Sequence, residues 1–88
     1  MSPYDVQIVP SALKTLLKLD KPVRRRLQSA FDGLARDPRP HGAIALKGSA
    51  GLHRIRVGDY RVVYEIHDGK LVVLVVDLGH RSEIYRDL

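Results

Sequence analysis

The stretch Leu52–Leu78, LHRIRVGDYRVVYEIHDGKLVVLVVDL, decides the fold of this 88-residue chain. Its apolar and β-branched residues form three runs, which predict strands over Leu52–Val57, Tyr60–Ile66 and Leu71–Leu78. Gly58-Asp59 separates the first two runs and Asp68-Gly69 lies between the last two, and such dipeptides are typical of hairpin turns. The sequence therefore predicts an antiparallel three-strand meander, whose last strand is apolar enough to lie in the interior of a sheet and be covered on both faces.

The residues before the meander predict one strand and two helices. Apolar and polar residues alternate over Tyr4–Val9, which indicates a strand. Ser11 is a candidate N-cap for a short helix that presents one apolar face, made of Leu13, Leu16 and Leu17. A longer helix begins near Pro22 and ends before Pro38, with helical spacing at Val23, Leu27, Ala30, Phe31 and Leu34.

The order of these elements predicts an α+β fold. His41–Gly51 is rich in Gly and Ala and predicts a loop, with room for a short strand. An N-terminal strand, a helical hairpin and a meander make one sheet with the helices packed on one face. We expect a single domain over residues 1–88.

Charge and composition narrow the function. Fifteen Lys and Arg stand against ten Asp and Glu, and ten of the fifteen are Arg, whose planar fork binds phosphate through two bonds. This balance is typical of a protein that binds a polyanion, although excess surface charge that is merely solvated gives the same count. The chain has no cysteine and no apolar run near membrane length, so we expect a cytoplasmic protein without disulfides.

The candidate site residues are basic or aromatic. Arg54 and Arg56 are two apart on one strand, so they share a face, and a tight hairpin brings Arg61 close to Arg56 on a face that we expect to be open to solvent. Arginine on the exposed face of a sheet is often only solvated, but few acids lie nearby in sequence. The full set of candidates is Lys47, Arg54, Arg56, Arg61, His80, Arg81 and Tyr85.

The chemistry open to this set is limited. The four histidines have no metal-ligand spacing and no nucleotide-binding motif is present, so we expect no metal and no cofactor. RNA supplies its own nucleophile, the 2′-OH, and cleavage then needs cations and proton transfer. The imidazole group is the side chain that suits a proton shuttle at neutral pH, so His80 is a candidate for that role, or it is a structural residue at a strand end. Tyr85 can stack on a base, bind a phosphate or pack with Ile84.

Three motifs carry a family resemblance. Gly58–Ile66 (GDYRVVYEI), Gly79–Arg86 (GHRSEIYR) and Leu46-Lys47-Gly48 resemble the RelE group of the RelE/ParE toxin superfamily. The resemblance implies a ribosome-dependent endoribonuclease that cuts mRNA and leaves a 2′,3′-cyclic phosphate. By position it implies catalytic roles for Arg54, Arg56, Arg61, Arg81 and Tyr85, with His80 sharing the role of Arg81 and with Lys47 among the substrate contacts. Members of the family often have Lys where this chain has Arg54 and Arg56.

The resemblance also implies partners. We expect a cognate antitoxin, the ribosome with its mRNA, and promoter DNA reached only through the antitoxin complex. Two alternatives stay open on the same fold: a ParE-like inhibitor of DNA gyrase, and an inactive relative that only binds nucleic acid or antitoxin. The basic set together with the C-terminal tyrosine favours the nuclease.

Overall fold

The computed structural model describes residues 3–48 and 51–80, so Arg81 and Tyr85 lie outside the described residues. The elements, in chain order, are β1 (Asp5–Ile8), α1 (Pro10–Leu17), α2 (Lys21–Arg36), β2 (Ile44–Ala45), β3 (Leu52–Val57), β4 (Tyr60–His67) and β5 (Val72–His80). This order confirms the predicted α+β fold, and β2 is the short strand for which the Gly- and Ala-rich loop has room. No helix in the described part of the chain is both long and apolar enough to cross a bilayer.

The sheet has the strand order β1-β5-β4-β3-β2. β2, β3, β4 and β5 form antiparallel pairs, as the meander predicts, and β1 pairs parallel with β5. Gly58 has a φ of 61°, a left-handed conformation that favours glycine, at the tight turn between β3 and β4. A register shift interrupts the β4–β5 ladder between Val63 and Tyr64, where β5 has one extra residue.

Both helices pack on one face of the sheet. Ala12 and Leu16 of α1, and Leu27, Phe31 and Leu34 of α2, form one cluster with Ile55, Val62, Tyr64, Val73, Val75 and Leu78 of the sheet. Each fully buried Val, Leu, Ile or Phe side chain stabilises the fold by about 1.5–3 kcal/mol. The cluster confirms the predicted layer arrangement and leaves the other sheet face uncovered by α1 and α2.

The first helix differs from its prediction. It begins at Pro10, with Val9 rather than Ser11 as its N-cap, because proline fits the first turn of a helix. Leu16 is buried, but Leu13 and Leu17 are 40% and 61% exposed, and Ala12 takes the second buried position. The buried stripe of this eight-residue helix is therefore narrower than the three leucines predicted.

The last strand begins one residue later than predicted. Leu71 has a φ of 54° and ends the 3₁₀ turn Asp68–Lys70, so β5 starts at Val72. The prediction that this strand is internal is confirmed, since β5 lies between β1 and β4. Its second face is only half-buried at Val72 and Leu74, so the cover expected on both faces is partial.

A polar cluster fixes the turn between β4 and β5. The Arg39 guanidinium donates to both carboxylate oxygens of Asp68, with Nη2 2.9 Å from Oδ2, and the Tyr4 hydroxyl donates to Oδ1 at 2.6 Å. These hydrogen bonds, that from Arg39 first, lower the pKa of Asp68 to about 2. Nearby, the buried Tyr64 hydroxyl donates to the Pro38 carbonyl at 2.7 Å, and burial raises the pKa of Tyr64 to about 12.

Candidate nucleic-acid interface

Three arginines lie together on the sheet face opposite the helices, here called the arginine face. Ile55 and Val57 of β3 pack with the core, so Arg54 and Arg56 point to the other side. Arg61 of β4 pairs directly with Arg56. The shared facing of Arg54 and Arg56, and the closeness of Arg61 to Arg56, are confirmed.

The register extends this arrangement into two rows across the sheet. One row runs from Arg54 through Val63 of β4 to Asp77 of β5. The next row runs from Arg56 through Arg61 to Gly79, which presents no side chain. Three cations and one carboxylate thus occupy neighbouring positions on three adjacent strands.

Burial differs among the three arginines. The expectation that Arg61 faces solvent is wrong: its residue is 6% exposed, because it lies on the central strand with neighbours on both sides. Arg54 is half-buried and its Nε atom is buried without a hydrogen-bond partner among the described residues, whereas Arg56 is exposed. Holding cations together in partly buried positions costs stability, and a bound anion offsets that cost.

Ion pairs in the described ranges, 3–48 and 51–80, do not involve Arg54 or Arg56. The two pairs are Arg39 with Asp68 and His67 with Glu65, both at 2.9 Å and both toward the opposite end of the sheet. The charges of Arg54 and Arg56 are therefore not neutralised by a carboxylate within 4.0 Å in this part of the chain. The arrangement suits phosphate, which a guanidinium binds through two parallel hydrogen bonds.

Asp77 is a site residue that the sequence reasoning missed. It is exposed and pairs with Val63, so it lies on the arginine face, diagonal to Arg61. A regular ladder continued from the Tyr64–Val75 pair would turn Asp77 toward the helices and Leu78 toward the arginines. The register shift reverses both, and nothing in the sequence pattern marks its position.

The same shift moves His80 away from the arginines. His80 pairs with Tyr60, whose side chain packs against the core, and the two rings meet edge to face at 5.6 Å. His80 therefore lies on the helix-covered face and not beside Arg56 and Arg61. The structure does not bring the predicted proton shuttle to the cationic group.

The structure does not bring Lys47 beside Arg56 and Arg61. Lys47 is exposed and follows Leu46, the residue after β2. The Leu46 amide donates to the carbonyl of Leu52, the first residue of β3, at 3.0 Å. Arg56 and Arg61 lie at the other end of the β3–β4 pair. In the described part of the chain, no group of three or more His, Asp or Glu side chains is placed to hold a metal ion.

Known proteins resemble this chain in sequence and in fold. A family model, described as the ParE toxin of the type II toxin–antitoxin system parDE, matches residues 6–85. The toxin RelE of Mycobacterium tuberculosis is 35% identical over 85 residues, covering 96% of this chain and 88% of that protein. The mRNA interferase toxin RelE of Escherichia coli is 35% identical over 88 residues, covering 96% of this chain and 92% of that protein.

Solved structures agree with these relatives. The archaeal RelE–RelB complex of Pyrococcus horikoshii contains a chain that superimposes with a TM-score of 0.82 at 32% identity. The match covers 92% of this chain and 98% of that chain. Sequence and structure thus agree over nearly the full length, including the strands that carry the three arginines.

Proposed function

Because the chain belongs to the RelE/ParE superfamily of toxins from type II toxin–antitoxin systems, we propose that it is an endoribonuclease that cuts mRNA on the ribosome. The observation that carries the proposal is the arginine face, on which Arg54, Arg56 and Arg61 lie in adjacent register. A relative at 35% identity is named an mRNA interferase, which supports the same class of reaction.

The proposed reaction uses the RNA as its own nucleophile. The 2′-oxygen bonds to the adjacent phosphorus, the bond from phosphorus to the 5′-oxygen breaks, and the products are a 2′,3′-cyclic phosphate and a 5′-hydroxyl. A group must take the proton of the 2′-OH and another must protonate the leaving oxygen. Negative charge grows on the phosphoryl oxygens, and Arg54, Arg56 and Arg61 stabilise it.

We assign proton acceptance to Asp77. Arginine is a poor base, since its reference pKa is above about 12, and His80 lies on the other sheet face. Glu65 is already bonded to His67 at 2.9 Å. Asp77 is the exposed carboxylate in the arginine rows. A carboxylate at a phosphate-binding face weakens RNA binding, and a role in the chemistry gives a reason for its presence there.

The remaining candidates have supporting roles in the proposal. Lys47 binds RNA backbone outside the arginine rows, at the end of the β3–β4 pair away from Arg56 and Arg61. Arg81 and Tyr85 enter through the family resemblance, Arg81 as a further cation and Tyr85 as a group that stacks on a base or binds phosphate. His80 supports the end of β5 through its contact with Tyr60.

The proposal includes a protein inhibitor and a location. The matched archaeal structure is a complex of RelE with RelB, and we propose that a cognate antitoxin likewise binds this chain and masks the arginine face. The complex contacts promoter DNA through the antitoxin. Action on the ribosome places the free toxin in the cytoplasm.

One observation favours a second candidate function. The matching family model carries the ParE name, and inhibition of DNA gyrase is the corresponding activity of a ParE-like toxin on the same fold. In that case the arginine face serves only to bind the antitoxin.

A paired assay separates the two candidates. The chain is induced in bacteria, cleavage of a translated message is followed by primer extension, and gyrase supercoiling is measured with the purified protein. We expect cuts inside codons that disappear when translation is blocked, with gyrase unaffected. Intact mRNA together with loss of supercoiling would instead establish the gyrase inhibitor.

A further inference from the structure

Much of the positive charge of the chain lies away from the arginine face. Residues 10–36, here called the helical hairpin, carry seven Lys and Arg against two Asp, which gives +5. The rest of the chain carries eight Lys and Arg against eight Asp and Glu, which gives zero. The whole formal charge of +5 therefore lies in the helical hairpin, on the opposite side of the sheet from the proposed cleavage site.

Most cations of the helical hairpin are exposed to solvent. Lys14, Lys18, Lys21 and Arg25 are exposed, and no ion pair of residues 3–48 and 51–80 involves any base of the hairpin. The first turn of α2 contains no acid, and the acid at this end of the helix is Asp20 at the N-cap. The cations of the hairpin outnumber its acids and are therefore available to an anionic ligand.

Part of this charge surrounds a cleft. Lys21, Arg24, Arg25 and Gln28 follow helical spacing along one side of α2, and with Leu16 and Leu17 they line a shallow cleft of about 170 Å³. Four of its six lining residues end in hydrogen-bond donors. Protein interfaces have an apolar, often aromatic centre, whereas the large apolar residues exposed on the hairpin are two leucines, Leu13 and Leu17, and neither is aromatic.

We infer that the helical hairpin is a second RNA-binding surface, which docks on the phosphate backbone of double-stranded RNA while the arginine face acts on single-stranded mRNA. Duplex RNA is recognised by shape and through its phosphates and 2′-hydroxyls, which suits a row of Lys, Arg and Gln. This inference rests on the proposed function, because the ribosome is built largely of such duplexes. The hairpin thus contributes to holding the toxin on the ribosome and takes no part in bond cleavage.

The test removes charge from exposed positions outside the cleavage site. The variant Lys18→Gln/Lys21→Gln/Arg25→Gln loses three cations, and the matched control Lys18→Arg/Lys21→Arg/Arg25→Lys keeps them. Binding to a 16-base-pair RNA duplex is measured against salt concentration. The slope of log K against log salt is negative, and the loss of three phosphate contacts should make it less steep by about 2 to 3. The control should have the slope of the wild type.

Cleavage kinetics provide a second readout. With mRNA-programmed ribosomes as substrate, the Gln variant should raise KM at least 10-fold and leave kcat unchanged, and the melting temperature should show that it is folded. Unchanged duplex binding and unchanged KM in an active protein would overturn the inference. So would a variant that keeps duplex binding but no longer binds its antitoxin, because the surface would then serve a protein.

The proposed function can fail separately. If the wild type cleaves no ribosome-bound message, the nuclease proposal is wrong whatever the hairpin does. The duplex measurement still decides whether the hairpin binds RNA, since it needs no catalysis.

Discussion

Arg39, in the loop after α2, and Arg54, on β3, are treated differently by the fold. Arg39 donates to both carboxylate oxygens of Asp68, and Tyr4 completes the cluster. Arg54 has no such carboxylate among the described residues, and its Nε is buried without a hydrogen-bond partner there. The difference separates a positive charge that the fold pairs with a carboxylate from one that, on the proposed function, binds phosphate.

The largest expected effect is loss of activity at the arginine face. Arg61→Met keeps most of the side-chain volume of a buried residue on the central strand, so the variant should still fold. Cleavage should fall by about 10³-fold, because a group that stabilises charge in the transition state is lost. Single-turnover cleavage and thermal unfolding measure the two effects, with the exposed Lys70→Met as control. A large drop in melting temperature would mark Arg61 as structural, like Arg39.

A smaller loss is expected at Asp77. Asp77→Asn removes the proposed proton acceptor and should lower kcat about 10²-fold. RNA affinity should not fall, because one negative charge leaves a phosphate-binding face. The control is Asp59→Asn, an exposed acid in the β3–β4 turn outside the arginine rows. If both variants keep full kcat, the acceptor is another group.

On the helix-covered face of the sheet the expected effect is on stability alone. Tyr64→Phe leaves the Pro38 carbonyl without its buried hydrogen bond, which should cost about 1–3 kcal/mol in urea unfolding. Cleavage should be unaffected at a temperature where the variant is folded. A Tyr64→Phe variant that is fully stable but inactive would contradict the division between the two faces.

The smallest expected effect is a change in acid sensitivity. The pKa of Asp68 is about 2 in the folded protein, below its ordinary value of 3.8, so its cluster contributes stability above pH 4. That contribution is lost as the pH falls from about 4 toward 2. In Asp68→Asn this part of the pH dependence should be absent, and melting temperatures between pH 2 and 5 measure it. An Asp68→Asn profile that runs parallel to the wild type would place the acid-sensitive group elsewhere.

Much of this arrangement can be predicted from sequence. The alternation in β3 and the tight Gly58-Asp59 turn are local features, and they predict correctly that Arg54, Arg56 and Arg61 share a face. The register between β4 and β5 is not a local feature. It depends on which apolar residues of β5 fill the core, and placing Leu78 there requires one extra residue in the ladder.

The extra residue in β5 accounts for two errors at the candidate site, the omission of Asp77 and the placement of His80. Past the register shift, every β5 side chain changes face, so Asp77 joins the arginines and His80 leaves them. The burial of Arg61 was missed for a related reason, because the burial of a long side chain on a central strand depends on its neighbours across the sheet. The sequence thus predicts the residue type and the strand of the candidate residues, whereas their burial and their neighbours depend on tertiary structure.

The parallel pairing of β1 with β5 has a consequence for synthesis. Asp5 is the partner of Val72, so the first strand made has no place in the sheet until the last described strand has been translated. Contacts so distant in sequence slow folding. Until β5 has been translated the nascent chain also lacks Asp77, so on the proposed function a ribosome making this toxin is not exposed to an active nuclease before that point.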